Sequence, residues 1–349
     1  MKAEGKKLSA LLKNSESKLK RGSADPIVNR LVIDSRRVTP GSLFFALPGI
    51  RHDGTSFVDE ALTRGAVGVI SNAPRRFGNS KAVFVKSADP RITLAKVARR
   101  FFGKPDKALT LIGITGTNGK TTVSYLAKHF LSLDDVKTGC LGTIGYDLVE
   151  RVLPSFRTTP EAHDLCELLA QMKGFGCERA VMEVSSHGID QMRVAELKFD
   201  VGAFLNLTRD HLDYHGDMDS YFEVKRRFIV GELGRRPKKL AINVDDVYGR
   251  RLAEELDDDS LISFGTDSNA KMQAVDVDMA PNGTTFTFRY EGTDRLVRSP
   301  LIGHYNVSNV LAAMAIGAAV GVDLDSCIGS LGAFGGIPGR MERIQNGQP

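Results

Sequence analysis

The stretch Leu109-Thr-Leu-Ile-Gly-Ile-Thr-Gly-Thr-Asn-Gly-Lys-Thr-Thr122 limits the possible folds more than any other part of the chain. It reads as a buried strand, a glycine-rich turn and the start of a helix. Gly116 and Gly119 permit a tight turn in which successive backbone N–H groups, those of Thr117 and Asn118 among them, point into one concavity. Lys120 adds a point charge, and the hydroxyl of Thr121, followed by Thr122, is suited to reach a Mg²⁺ ion. Val123, Leu126, Phe130 and Leu131 share one helical face, with the positive end of the helix dipole at the turn. The strict G-x-x-x-x-G-K-[ST] spacing is not met, because position 114 is Ile and the next glycine back is Gly113. The flanking strand and helix still favour a phosphate cradle over a turn that merely connects two elements.

Around this stretch the patterning predicts an α/β protein. Residues 1–105 form a first domain with short strands at 30–36, 42–47, 66–70 and 82–85, helical segments at 59–64 and 91–102, and a linker at 103–106. Residues 106–338 alternate strands and helices and predict a mainly parallel sheet, with strands at 109–115, 179–184, 201–207, 240–244 and 261–264. Two-residue alternation over 271–298, with turns at Pro281-Asn-Gly283 and Glu291-Gly292, predicts a small antiparallel annex. Asn306 to Val320 is an Ala-rich helix. The polar tail 339–349 reads as a hinge into a further domain. In a parallel sheet ligands bind beyond the carboxyl ends of the strands, so the residues there are the candidates for chemistry.

Composition narrows the function class. The net charge of +5 is drawn partly from Lys2 to Arg21, which reads as a solvated terminal helix followed by a loop. No aromatic residues interleave those charges, so a nucleic-acid surface is not expected. Cys140, Cys166, Cys177 and Cys327 lack C-x-x-C spacing and read as reduced thiols of a cytoplasmic protein. No apolar run approaches the ~18 residues of a membrane span, and the N-terminus lacks a hydrophobic signal core.

Three groups then stand out. Glu183 lies in the strand ending Met-Glu-Val184, with Ser185-Ser-His-Gly188 behind it. His211 lies in the segment after the next strand, Asn206 to His215. Alone, each reads as a structural or surface residue; beside a phosphate loop, a carboxylate and an imidazole can jointly hold Mg²⁺ between phosphates and a second substrate. Lys225, in the helix Ser220–Phe228, reads alone as a solvated helix lysine.

Four motifs together resemble the Mur ligase family: Gly116-Thr-Asn-Gly-Lys-Thr-Thr122, Met182-Glu-Val-Ser-Ser-His-Gly188, Asn206-Leu-Thr-Arg-Asp-His211 and Gly303-His-Tyr-Asn-Val-Ser-Asn309. Asp34-Ser-Arg36, Gly142-Thr-Ile-Gly-Tyr146, Thr158-Thr-Pro160, the run Ser185 to Arg193 and His211-Leu-Asp-Tyr-His-Gly-Asp217 are similar to its MurE branch, the UDP-N-acetylmuramoyl-dipeptide amino-acid ligases. The resemblance spans nearly the whole chain. It implies a UDP-binding first domain, a P-loop ATPase second domain, and a Rossmann-like third domain that this chain lacks.

The resemblance also assigns roles. Ile33 and Ser35 are implied to contact the uridine diphosphate, with the loop Ile50-Arg51-His52 beside it. Thr158, Thr159, Ser185, Gln191 and Arg193 are implied to hold the muramoyl-dipeptide, although Arg157 stands where many relatives carry Asn. Gly116 to Thr122, Asn306, Asn309 and Arg340 are implied to bind ATP, with Asn243 and Asp245 nearby. Thr121, Glu183, His211 and Lys225 are implied to serve Mg²⁺, Lys225 as a carbamate. Lys120, Glu183, His211 and Lys225 form the implied catalytic group.

The implied activity is ATP-dependent amide ligation in peptidoglycan precursor synthesis. ATP phosphorylates the D-Glu side-chain carboxylate of UDP-N-acetylmuramoyl-L-alanyl-D-glutamate, and the amine of meso-diaminopimelate or L-lysine displaces the phosphate. A monomer acting on small molecules is expected. The alternatives are a module that binds ATP and the UDP substrate without ligating, and, within the family, a folylpolyglutamate or cyanophycin synthetase. The Asp-Ser-Arg and Thr-Thr-Pro motifs argue against both synthetases, and no guanine-reading residues support a GTPase-like switch.

Overall fold

The computed structural model describes residues 4–13, 16–17, 24–49, 53–72, 81–256, 258–267 and 269–339. The chain forms two compact units: Met1–Pro105 with Glu161–Gln171 and Gln191–Leu197, and the remainder from Asp106. The expected loop at Ile50-Arg51-His52, Arg340 and nearly all of the expected hinge lie outside the described residues.

The first unit holds a four-stranded parallel sheet in chain order, Arg30–Val32, Ser42–Phe45, Gly68–Ser71 and Val83–Lys86. Helix Pro90–Phe101 follows the last strand. Asp89 caps it by accepting from the N–H groups of Arg91 and Ile92, and Pro90 supplies a pre-set φ at its first position. The expected solvated terminal helix is corrected. Lys6–Lys7 is instead a strand paired antiparallel with Ile27–Val28, and the single turn Leu8–Leu11 buries Leu8 and Leu11. Two leucines three residues apart in a cationic segment thus anchor it to the core.

The second unit is built on an eleven-stranded sheet. Seven neighbouring strands are parallel, in the order Thr138–Leu141, Arg179–Glu183, Thr110–Thr115, Val201–Phe204, Lys239–Asn243, Leu261–Gly265 and Met272–Ala280. Short antiparallel strands Gly145–Asp147 and Val152–Pro154 close one edge. At the other edge, Gly283–Tyr290 and Thr293–Ser299 form hairpins. These are the expected annex, but it is continuous with the main sheet, because Phe264 and Gly265 pair with Met272 and Gln273. The turn at Glu291 and Gly292 has positive φ at both residues, the geometry that suits a two-residue hairpin loop.

Helices Lys120–Leu131 and His304–Val320 bury themselves in one core with the strands. Val123, Leu126, Phe130 and Leu131 are all fully buried, and so are Val310, Leu311, Met314 and Ile316. Truncating Phe130 to Ala in such packing costs about 3–5 kcal/mol. Register fixes what leaves the sheet together. Glu183 pairs with Ile114 and Phe204 with Thr115, so Ser185, Gly116 and Leu205 follow at one level of the carboxyl edge, with Glu183 two residues below it.

Candidate functional site

The phosphate loop is braced from the neighbouring strand end. Thr117 N–H donates to Asn206 O at 3.0 Å and Asn118 N–H to Asn206 Oδ1 at 2.8 Å, while Asn206 Nδ2 returns a bond to Asn118 O at 3.2 Å. Thr208 N–H donates to Thr117 Oγ1 at 3.1 Å. The loop ends at Gly119, whose φ of 83° is left-handed; a Cβ there would lie 2.4 Å from Asn309 Oδ1. Glycine is thus required twice over, by backbone and by space. Helix Lys120–Leu131 starts at this residue with no side-chain cap, which leaves its first-turn N–H groups directed at the loop.

Two lysine amines meet at the loop. Lys120 Nζ donates to the carbonyls of Gly116 and Thr117, both at 2.9 Å. Lys225 Nζ donates to the same Gly116 carbonyl at 2.9 Å. Lys225 is 1% exposed, so it is not the solvated helix lysine that its sequence context suggests when read alone. Its helix, Met218–Val230, is capped by Asp217 accepting from Ser220 N–H and ends at the left-handed Gly231. Burial holds the Lys225 amine well below its ordinary pKa. The Lys120 cation adds to that, and Asp210 works against it.

No sequence motif marks Tyr221, one helical turn before Lys225. Its ring lies 4.7 Å from Lys225 Nζ, and its hydroxyl is 3.3 Å from Thr117 Oγ1. The only available signal was the i, i+4 spacing to Lys225. His215 stacks on Tyr221 at 4.7 Å and pairs with Ser186 Oγ at 3.0 Å. His211, in a left-handed conformation at φ 53°, packs edge-on to His187 at 5.0 Å and is half-exposed.

Glu183 is buried and held by a second residue that sequence reasoning did not single out. Thr143 donates to it twice, from N–H at 3.0 Å and from Oγ1 at 3.1 Å. A Cβ on Gly142 would come within 2.3 Å of Glu183 Oε1, which explains the glycine in that turn. Thr143 Oγ1 also lies 3.1 Å from Thr158 Oγ1. Thr159 Oγ1 donates to Glu183 O at 2.8 Å and accepts from Ser185 N–H at 3.0 Å, and Ser185 Oγ accepts from Gly188 N–H. Thr158, Thr159, Ser185 and Glu183 are therefore one connected network. Arg157 contributes through its backbone, its carbonyl accepting from Tyr146 OH at 2.7 Å.

Asn306 and Asn309 are buried and joined at 2.9 Å, with Asn309 against the loop glycine. Asn243 donates to Leu205 O at 2.8 Å, and Asp245 accepts from Thr266 and Asp267 N–H groups. In the first unit, Arg193 is buried rather than open. Its Nε is 3.2 Å from Glu161 Oε1 and its Nη2 donates to Gln191 Oε1 at 2.6 Å. Ser35 is buried with its hydroxyl donated to Glu60, and Ile33, two residues earlier, directly follows the strand Arg30–Val32.

Among the described residues no three His, Cys, Asp or Glu side chains form a ready-made metal cage. Mg²⁺ seldom needs one: it is bound through one or two carboxylates together with substrate phosphates. A buried Glu183 carboxylate at the strand end and a Thr121 hydroxyl at the start of the loop helix fit that donor chemistry.

Residues 114–317 match the Mur ligase middle domain, and residues 28–110 match the Mur ligase family catalytic domain. The UDP-N-acetylmuramoyl-L-alanyl-D-glutamate–2,6-diaminopimelate ligase of Solibacter usitatus is 42% identical over 324 residues, 92% of this chain and 65% of that protein. The ligase of the same name from Geobacter sulfurreducens is 39% identical over 330 residues, 93% of this chain and 64% of that protein. A solved structure of a ligase with this name aligns at a TM-score of 0.82 and 30% identity, over 94% of this chain and 67% of that one. The chain thus spans 64–65% of the length of the two curated relatives. No helix among the described residues is long and apolar enough to cross a membrane. Since the match runs through the first sheet as well as the phosphate loop, the chain belongs to the Mur ligase family.

Proposed function

We propose that the chain binds ATP and the UDP substrate for an amide ligase of peptidoglycan precursor synthesis of the MurE type, with residues 1–105 as the UDP-binding domain and 106–338 as the ATP-binding domain. The reaction joins a diamino acid to UDP-N-acetylmuramoyl-L-alanyl-D-glutamate. The names of the relatives favour 2,6-diaminopimelate over L-lysine as that amino acid. One observation carries the reading: Lys120 and the buried Lys225 share the Gly116 carbonyl. Phosphate binding alone calls for the first lysine only.

In this reading Lys120 and the uncapped N–H groups at the start of helix Lys120–Leu131 hold the ATP phosphates. The N–H groups of Thr117 and Asn118, expected to face the phosphates, are instead given to Asn206. The γ-phosphoryl passes to the D-Glu carboxylate to give an acyl phosphate. The amine of the diamino acid then attacks the acyl carbon, and phosphate leaves. The protein's contribution is to align two anions that repel each other and to stabilise the charge that develops between them. Mg²⁺ held by Thr121, Glu183 and His211, when bound, supplies further positive charge for that alignment. Lys225 serves as an anionic oxygen donor once its neutral amine has added CO₂, forming an N–C bond and releasing one proton. Thr158, Thr159, Ser185, Gln191 and Arg193 hold the muramoyl-dipeptide, Ile33 and Ser35 the uridine diphosphate, and Asn306, Asn309 and Arg340 the nucleotide.

Because the chain spans 64–65% of its curated relatives, a second reading stands beside the first: a module that binds both ligands without completing ligation. Calorimetric titration of ATP and of the UDP-linked dipeptide, followed by an assay of ADP release with and without 2,6-diaminopimelate, tests both. Binding of both ligands with diaminopimelate-dependent ADP release supports the ligase. Binding without that release supports the module, and failure to bind either ligand removes both readings.

A further inference from the structure

We infer that a cleft in the first unit, between the N-terminal segment and the end of helix Pro90–Phe101, binds a small, multiply charged phosphoryl anion. The cleft has a volume of about 660 Å³ and is lined by Lys6, Lys13, Arg99, Arg100 and Lys104, with no acidic side chain among its described lining residues. That volume is typical of a small-molecule site.

Two separate stretches of chain, residues 6–13 and 99–104, supply the five cations, which one helix end does not explain. Arg99 and Arg100 in a last helical turn are favoured by the helix dipole anyway. Lys6, Lys13 and Lys104 come from outside the helix. Lys6 Nζ donates to Arg100 O at 2.8 Å, and Arg100 Nη1 donates to Leu11 O at 2.6 Å. These two bonds fix the floor of the cleft and keep the Arg100 guanidinium half-buried. Burial and the Arg99 cation both disfavour the charge on Arg100, and Glu196, which also lies 3.7 Å from Lys96, offsets this in part. A bound anion relieves the remaining repulsion.

Lys104 makes the same point from the backbone. It sits at φ 57°, with its N–H on Arg99 O at 2.6 Å. A non-glycine residue in this conformation is strained, yet a lysine occupies it and stands exposed at the rim. Guanidinium groups bind phosphoryl oxygens in bidentate fashion, and lysines at the rim add charge.

The cleft is separate from the residues proposed to contact uridine diphosphate. Lys6 pairs with Val28, ahead of the strand Arg30–Val32, whereas Ser35 follows that strand. The two sites lie at opposite ends of the sheet, and the inference does not rest on the ligase reading.

The test is a titration of the full chain, isotope-labelled for nuclear magnetic resonance, with inorganic pyrophosphate, following the amides of Lys6, Leu11, Gly103 and Lys104. Saturable shifts at these amides are expected, absent with sodium chloride at equal ionic strength. The double variant Lys13→Glu/Lys104→Glu changes two exposed side chains and spares the bonds of the floor. It is expected to weaken binding about tenfold or more, with the rest of the spectrum unchanged. Shifts that fail to saturate, that chloride reproduces, or that survive in the double variant would overturn the inference. So would sedimentation with phosphatidylglycerol vesicles that pyrophosphate does not displace, since that outcome assigns the cations to a membrane surface.

Discussion

Lys120 and Lys225 donate to one acceptor, the carbonyl oxygen of Gly116, each at 2.9 Å. Burial, and then the repulsion between two ammonium groups on one carbonyl, both disfavour the charged form of Lys225 and hold its amine well below its ordinary pKa. A fully buried amine beside a glycine-rich loop, with its charged form disfavoured, sets Lys225 apart from the other lysines among the described residues.

That setting suits the carbamylation proposed for Lys225, which carbon labelling tests. With ¹³C-labelled bicarbonate, the chain is expected to show one carbamate carbon resonance that Lys225→Ala abolishes. A spectrum without that resonance, or one unchanged by the substitution, contradicts the role.

Gly119 offers a test of the loop geometry that controls for backbone strain. Gly176 has nearly the same φ, 79° against 83°, but a Cβ there meets nothing within 4 Å. Gly176→Ala is expected to cost about 1–2 kcal/mol from strain alone. Gly119→Ala adds a collision with Asn309, so it is expected to lower stability further and to weaken ATP binding about tenfold or more. Thermal unfolding and calorimetry on the two variants make the comparison; equal effects would contradict the packing of Asn309 on the loop.

The Glu161–Arg193 pair is buried on both sides. Glu161→Ala leaves a buried guanidinium without its carboxylate and is expected to destabilise the chain by about 3 kcal/mol in denaturant unfolding. Glu161→Ala/Arg193→Met removes the charge and is expected to recover much of that loss. A single variant as stable as the parent would show that the pair is not a structural unit.

All four cysteines are buried, and burial pushes the thiols of Cys140 and Cys327 up to about 12 from an ordinary 9.0. Their contribution to stability is complete below pH 9.0, where the thiol is protonated in both folded and unfolded chains. It is lost as pH rises from 9.0 towards 12, because the unfolded chain ionises first. Stability is therefore expected to fall over that alkaline range, and to fall less in Cys140→Ala/Cys327→Ala relative to that variant's own value at pH 8. Thiol-reagent labelling at neutral pH is expected to proceed only at the rate of unfolding.

The strand–turn–helix at 109–122 is legible in sequence because phosphate binding needs glycine, lysine and threonine in a fixed order between two apolar elements. The strand Thr138–Leu141 is not, since Thr-Gly-Cys-Leu is too short to show a period and is held by neighbours far away in the chain. The hairpins at 272–299 show their turns in sequence, but not the two pairings at Phe264 and Gly265 that fuse them to the sheet. Among the site residues, motifs mark Glu183 and Ser185, and only the family resemblance marks Lys225. They do not mark Thr143 as the partner of Glu183, Tyr221 as the ring beside Lys225, or Glu161 as the counter-ion of Arg193. Each of those is a tertiary relationship, and only the packing shows it.

The central claim is that this chain aligns ATP with a carboxylate, and hydroxylamine trapping of the acyl phosphate tests it most directly. With ATP, Mg²⁺ and UDP-N-acetylmuramoyl-L-alanyl-D-glutamate, the parent chain is expected to yield a hydroxamate of the D-Glu side chain. Lys120→Ala is expected to yield none while still binding the UDP substrate. ATP turnover by the parent without hydroxamate, or an undiminished yield from Lys120→Ala, would contradict the account.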